Sequence, residues 1–264
     1  MNKESFITFF SYLCSSNIQI YMKKVLIMWL LALVLLPTAV WGQKIDGKAY
    51  YTDKDNVRQE TTNISDGEAP LEVEFRANPT DMGDWTPSYE WHFHLTRNNA
   101  GRQELFVRYE EDTNYTFVES GTYNIVLKAN IRKGDDIIED STTIVITIAD
   151  SKLEFPNAFS PNDDGYNDYY GAKGVNDPNS PDHWKSIVSF KAIIFNRWGQ
   201  KLYEWNDPAG RWDGRFHGKV VKDGVYFLHC EAKGADGKDY NIRKDINVLT
   251  GFTKKDGSTA GGSE

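Results

Sequence analysis

The chain has 264 residues, with 30 Lys and Arg against 38 Asp and Glu, for a formal charge of −8. Hydrophobic residues make up 40% and aromatics 14%, enough apolar surface for packed cores, which excludes a wholly disordered chain. The acidic balance lacks the basic face that phosphates need, which excludes nucleic acid as a partner. Two cysteines, Cys14 and Cys230, cannot build a disulfide framework.

Met22-Lys23-Lys24 precedes an unbroken apolar run, Val25 to Leu36, and then Pro37-Thr38-Ala39-Val40-Trp41-Gly42. A basic start, a short apolar run and a small-residue exit make a secretory signal peptide. The run has 12 residues, too few to span a bilayer as a helix, for which roughly 20 are needed. Cleavage is expected after Gly42, with Ala39 as the alternative; residues 1–21 read as an upstream extension, with the true start at Met22. No Cys follows the run, which argues against an acylated lipoprotein. Removal of residues 1–42 takes Lys3, Glu4, Lys23, Lys24 and Cys14, leaving a net charge of −10 and Cys230 alone. A strand interior is the expected home of that thiol, rather than a reactive site.

From Leu71 on, the apolar period is two. Leu71, Val73 and Phe75 alternate with Glu72 and Glu74, and Tyr89, Trp91, Phe93 and Leu95 with Glu90, His92 and His94. Tyr123 to Ile131 and Ile144 to Ile148 repeat the pattern. Such alternation puts one sheet face on a core and one in water, as in antiparallel sheets. Asp150-Ser151-Lys152 marks a junction, after which β-like segments return at Leu153–Phe159, Val188–Glu204, Gly224–Gly234 and Tyr240–Thr250. A long Gly/Asn/Asp/Pro-rich loop, Asn162 to His183, lies among them. The fold class expected is all-β, two tandem antiparallel immunoglobulin-like β-sandwiches after a signal peptide. Their spans are 43–150 and 153–251, each of the size at which a sandwich closes. Residues 252–264 are expected to be disordered.

Hydrolase signatures and phosphate-cradling loops are absent, so no catalytic residues and no enzymatic activity are expected. Asn162-Asp163-Asp164-Gly165-Tyr166-Asn167-Asp168 clusters hard oxygen donors around a turn-making Gly, which suits calcium at Asn162, Asp164 and Asp168. Gly171 stands where a bidentate Glu would close the cage, and an Asx-turn network explains the same letters. His92 and His94 share a strand face with Glu90, a geometry that holds zinc, although that face reads as the solvated one. Trp198 and Trp212 offer either core or docking surface, and Arg197 beside Trp198 has the composition of a binding hot spot.

The first half resembles a PKD-type domain through Ala69-Pro70-Leu71-Glu72-Val73-Glu74-Phe75, Tyr89-Glu90-Trp91-His92-Phe93, and Phe117 with Gly121-Thr122-Tyr123. The second half carries four motifs in order. They are Phe155-Pro156-Asn157-Ala158-Phe159-Ser160-Pro161-Asn162-Asp163-Asp164-Gly165-Tyr166-Asn167-Asp168, then Asn196-Arg197-Trp198-Gly199, then Trp212-Asp213-Gly214, then Gly224-Val225-Tyr226. Together they resemble the gliding-motility-associated C-terminal domain of Bacteroidetes, the type B sorting domain of the type IX secretion system. Asp163 stands where that family usually has Gly, and the last strand lacks the family's Gly and terminal Arg. The resemblance implies an exported cargo whose partner is the outer-membrane secretion machinery, placed at the cell surface or outside it. The first half is then the passenger, for adhesion or assembly with other surface proteins. The alternative is glycan binding, for which Trp85, in a polar stretch, is the expected exposed stacking platform.

Overall fold

The computed structural model describes residues 42–53, 55–97, 101–175 and 183–251. Apart from Gly42, the expected leader lies outside them, as do the expected tail, 252–264, and part of the long loop. The described residues from Gln43 on form one compact unit, all strand and turn.

In the first half the strands are β1 (Lys44–Ile45), β2 (Lys48–Thr52), β3 (Arg58–Thr61), β4 (Asn63–Gly67), β5 (Leu71–Arg76), β6 (Pro79–Thr80), β7 (Thr86–Thr96), β8 (Arg102–Arg108), β9 (Asp112–Phe117), β10 (Gly121–Lys133) and β11 (Asp136–Ile148). A four-stranded sheet, β3-β2-β5-β9, and a five-stranded sheet, β4-β11-β10-β7-β8, supply the two layers. The alternation works as expected: Val73 and Phe75 from one sheet, and Trp91, Phe93, Ile125, Leu127, Ile144 and Ile146 from the other, are buried in a single cluster. Phe75 meets Phe93 edge to face at 5.4 Å, the offset geometry that ring quadrupoles favour. The Trp91 indole donates to the Glu110 carbonyl at 3.0 Å, so its one polar group is satisfied in the core.

The second half contains β12 (Ala158–Phe159), β13 (Tyr170–Gly171), β14 (Ile187–Phe195), β15 (Lys201–Trp205), β16 (Arg211–Trp212), β17 (Arg215–Phe216), β18 (Lys219–Val220), β19 (Gly224–Gly234) and β20 (Asp239–Val248). One five-stranded sheet, β12-β20-β19-β14-β15, forms a full layer. The facing layer is built from the short β13-β16 and β17-β18 ladders and the loops around them. A second buried cluster fills the space between, including Phe155, Phe159, Tyr170, Ile194, Trp212, Cys230 and Ile246. Both halves are β-sandwiches in layer architecture. Two strand pairs depart from antiparallel order, β4 with β11 and β12 with β20, both at sheet edges. The segment expected as a strand over Leu153–Phe159 pairs as strand only at Ala158–Phe159, because Pro156 and Pro161 have no N–H to give a ladder.

Cys230 is fully buried on β19, and burial, aided by the neighbouring Glu231 charge, pushes its thiol up to about 12. Because the thiolate is the reactive form, native Cys230 is expected to react with a disulfide reagent at pH 8 about a thousandfold more slowly than a free thiol. Denaturant should restore the ordinary rate, and a time course of thiol absorbance with and without denaturant checks both.

Candidate functional site

Three of the four motifs converge on one indole. Trp212 is fully buried, with the Phe159 ring 5.4 Å and the Tyr226 ring 5.9 Å from it. Its Nε1 donates to the Arg215 carbonyl at 2.9 Å. Phe159 also packs on Tyr170 at 5.5 Å, and Tyr170 lies 6.1 Å from Phe155. The Tyr170 hydroxyl donates to the Pro156 carbonyl at 3.1 Å. Gly214 has φ 72°, and a Cβ there would meet Pro161 at 2.6 Å, so the turn after Asp213 needs glycine both for conformation and for space. The Asp213 carboxylate accepts the Arg215 N–H at 3.0 Å and closes that turn. Tyr226 donates its hydroxyl to the Lys222 carbonyl at 2.8 Å, while Gly224, at φ 149°, opens β19.

The loop after Pro161 is organised by one carboxylate. Asp168 accepts the N–H groups of Asn162 at 3.1 Å, Asp163 at 2.7 Å and Gly165 at 2.7 Å. Asn162 Oδ1 accepts from Asp164 N–H at 3.2 Å, and Asp164 Oδ1 from Tyr166 N–H at 2.9 Å. Ser160, itself buried, gives its N–H to the Asn167 carbonyl at 2.9 Å. Left-handed backbone at Asp163, Gly165 and Asn167 turns the chain inward on Asp168. Asn162, Asp164 and Asp168, the three residues that suit calcium, therefore spend their oxygens on backbone N–H groups, as an Asx-turn network does. Gly171, at the cage-closing position, is buried in β13. Asp163, where the family usually has Gly, pairs with Arg215 at 2.9 Å and ties the loop to β17.

The remaining motif, Asn196-Arg197-Trp198-Gly199, stands apart from that core. Asn196 Oδ1 accepts the N–H groups of Trp198 and Gln200, each at 3.0 Å, and Gly199 turns the chain at φ 79°. This turn joins β14 to β15 and holds Trp198 78% exposed with the Arg197 guanidinium 4.9 Å over its ring. One tryptophan is thus core and the other surface. Arg197 and Trp198 line a groove of about 370 Å³ with Phe216, Val225 and Tyr226, so two of the four motifs, Asn196–Gly199 and Gly224–Tyr226, meet at it.

Two sequence expectations do not hold. Trp85 is half-buried against the first core cluster, held by a turn in which its N–H donates to the Met82 carbonyl at 2.8 Å, so it is no open stacking platform. His92 and His94 lie on the outward face of β7, yet their side chains are only 16% and 15% exposed. Two glutamates crowd them: Glu104 Oε2 of the neighbouring β8 is 3.5 Å from His92 Nδ1 and 3.4 Å from His94 Nε2, and Glu90 of the same strand lies 3.0 Å from His92 Nε2. Among the described residues, no group of three or more His, Cys, Asp or Glu is placed to hold a metal ion. Tyr170 and Arg215 are core and loop partners that motif reading missed; neither is flagged by periodicity, since both lie in the short ladders.

This geometry defines an all-β module organised by its motif aromatics and presenting one charged, aromatic turn. Residues 153–243 match the family model of the CHU_C type IX secretion signal domain, so this half of the chain carries a signal of secreted cargo. No curated protein matches. Among solved structures, the FN1–FN3 domains of chicken CNTN1 are similar at 10% identity, over 75% of this chain and 76% of that one, with a TM-score of 0.23. A tetra-tandem repeat in the extending region of a large adhesion protein is similar at 10% identity, over 79% and 68%, with a TM-score of 0.28. Dimeric latent PorU from Porphyromonas gingivalis is similar at 12% identity, over 78% of this chain and 20% of that one, with a TM-score of 0.22. Likeness at these scores carries no argument about this chain's role.

Trp212→Ala is expected to destabilise the second half by about 3–5 kcal/mol through the cavity it leaves. Trp198→Ala should stay within about 0.5 kcal/mol of the parent. Asp168→Ala, which strips three N–H groups of their acceptor, should cost about 1–3 kcal/mol. Urea titrations followed by tryptophan fluorescence check all three. Saturating calcium or EDTA should move the melting temperature by less than about 1 °C, since the loop oxygens already have partners.

Proposed function

We propose that the protein is an exported, non-catalytic surface protein. Residues 43–150 form a PKD-like passenger, and residues 153–251 form a type B sorting domain that the outer-membrane type IX machinery reads as a folded shape. The observation that carries this reading is the family match over 153–243, which falls on a module with its own hydrophobic cluster. In this reading the leader, residues 1–42, provides the inner-membrane step as a cleavable signal peptide. The Asn196–Gly199 turn is the contact offered to the machinery, because an exposed Trp backed by Arg on a stiff turn is the composition of an interface anchor. Adhesion or assembly with other surface proteins is the passenger's part. A two-layer sandwich whose interior is one apolar cluster supports such a surface role better than a catalytic one, which needs convergent acid and base groups in a pocket.

The test is export in a type IX-competent host, with surface proteolysis and fractionation of the full chain and of a chain lacking 153–264. The full chain is expected at the surface and the truncated one in the periplasm; equal surface exposure of both refutes the sorting role. Trp198→Ala should fold normally yet reach the surface less than the parent by about tenfold, the scale of one lost interface anchor.

A further inference from the structure

The two sandwiches do not hang on a loose tether. The turn between β19 and β20 enters the end of the first sandwich, and Ala235, only 7% exposed, belongs to the first hydrophobic cluster although it lies in the second half. Ser186, fully buried and left-handed at φ 47°, sits beside it. Its Oγ accepts the Ala69 N–H at 3.2 Å and its carbonyl accepts the Ala235 N–H at 2.9 Å. The Ala235 carbonyl accepts the Ser120 N–H at 3.0 Å. Ala69 and Ser120 of the first half and Ser186 and Ala235 of the second thus form one buried run of three hydrogen bonds, two of which cross between the halves. At the rim, Lys185 Nζ lies 3.0 Å from Asp66 and 3.9 Å from Glu68.

The connecting segment is pinned from both sides. The Ala149 N–H donates to the Gly67 carbonyl at 2.9 Å, and Lys152 exchanges both backbone bonds with Lys185 at 3.1 and 3.0 Å. Ser151 Oγ donates to Asp236 at 2.7 Å and lies 2.8 Å from the Tyr240 hydroxyl. A Cβ on Gly234 would fall 2.1 Å from that Ser151 Oγ, so the close approach depends on glycine. Leu153 is already buried in the second cluster. On one side the halves stand apart across a cleft of about 710 Å³ bordered by Arg97, Glu119, Val188 and Asp236, so the joint is a one-sided latch.

We propose that the second domain is a built-in cap on the first, and that this latch closes the 149–153 connection to proteases, so the two travel and persist as one body after export. Proteases need several extended residues free of structure, and cutting follows the population of the open form. The proposal goes beyond the sorting role and does not depend on it.

Trypsin supplies the test, because Lys152 lies in the connection. The full folded chain is treated with trypsin, and cleavage after Lys152 is timed by mass spectrometry for the parent, Ala235→Arg and Ser186→Ala. The parent should resist at Lys152 while Ala235→Arg is cut there faster by about tenfold or more, with Ser186→Ala between. Circular dichroism keeps unfolded variants out of the comparison. Independently, amide relaxation of the unmutated chain should give both halves one rotational correlation time. Cleavage of the parent at Lys152 as fast as Ala235→Arg, or separate correlation times, overturns the proposal.

Discussion

The second domain rests on the packing of Trp212. One complete sheet is available there, and the facing layer is assembled from ladders of two residues each, too short to be stable alone. A large ring that touches Phe159 on the incoming segment and Tyr226 on the central hairpin gives those fragments a common surface to bury. Its indole N–H, bonded to the Arg215 carbonyl, orients the loop that carries Gly214, and Gly214 in turn makes room for Pro161. The family motifs therefore describe mainly how an irregular layer is held, with Trp198 of the Asn196–Gly199 turn the most exposed of their large apolar side chains.

The first domain needs no such centre. Its long strands alternate cleanly, and each layer contributes a full apolar face to one cluster. That regularity made β5, β7, most of β10 and the end of β11 readable from the period alone, down to the inward placement of Trp91 and Ile125. In the second half the β-like segments fall on β19 and most of β20, while Val188–Glu204 divides into β14 and β15 around the Asn196–Gly199 turn. Alternation had nothing to say about β13, β16, β17 and β18, where two residues cannot show a period, and so Tyr170 and Arg215 escaped notice.

Burial by neighbours is equally silent in a one-dimensional pattern. His92 and His94 alternate with the core residues of β7 and so belong on the solvent side, but Glu104 from β8 and the flanking Glu90 fold over them. Trp85 sits among polar residues yet turns back onto the core through its bond to Met82. The Asn/Asp-rich loop shows the opposite limit. Its letters suit both a cation cage and a self-capping turn, and in the fold the Asp168 carboxylate accepts three backbone N–H groups. The docking of Ala235 is a tertiary event between segments that look like ordinary turns.

The pairing of Ala158–Phe159 with Asn247–Val248 joins the domain's first strand to its last in parallel register. Long-range pairings of this kind form late, because loop closure must be paid before the contact stabilises anything. The sheet edge stays open until the final strand arrives, so the module exists in an all-or-none sense with respect to its own synthesis. A prematurely terminated chain would lack both the edge strand's partner and the hairpin around Ala235.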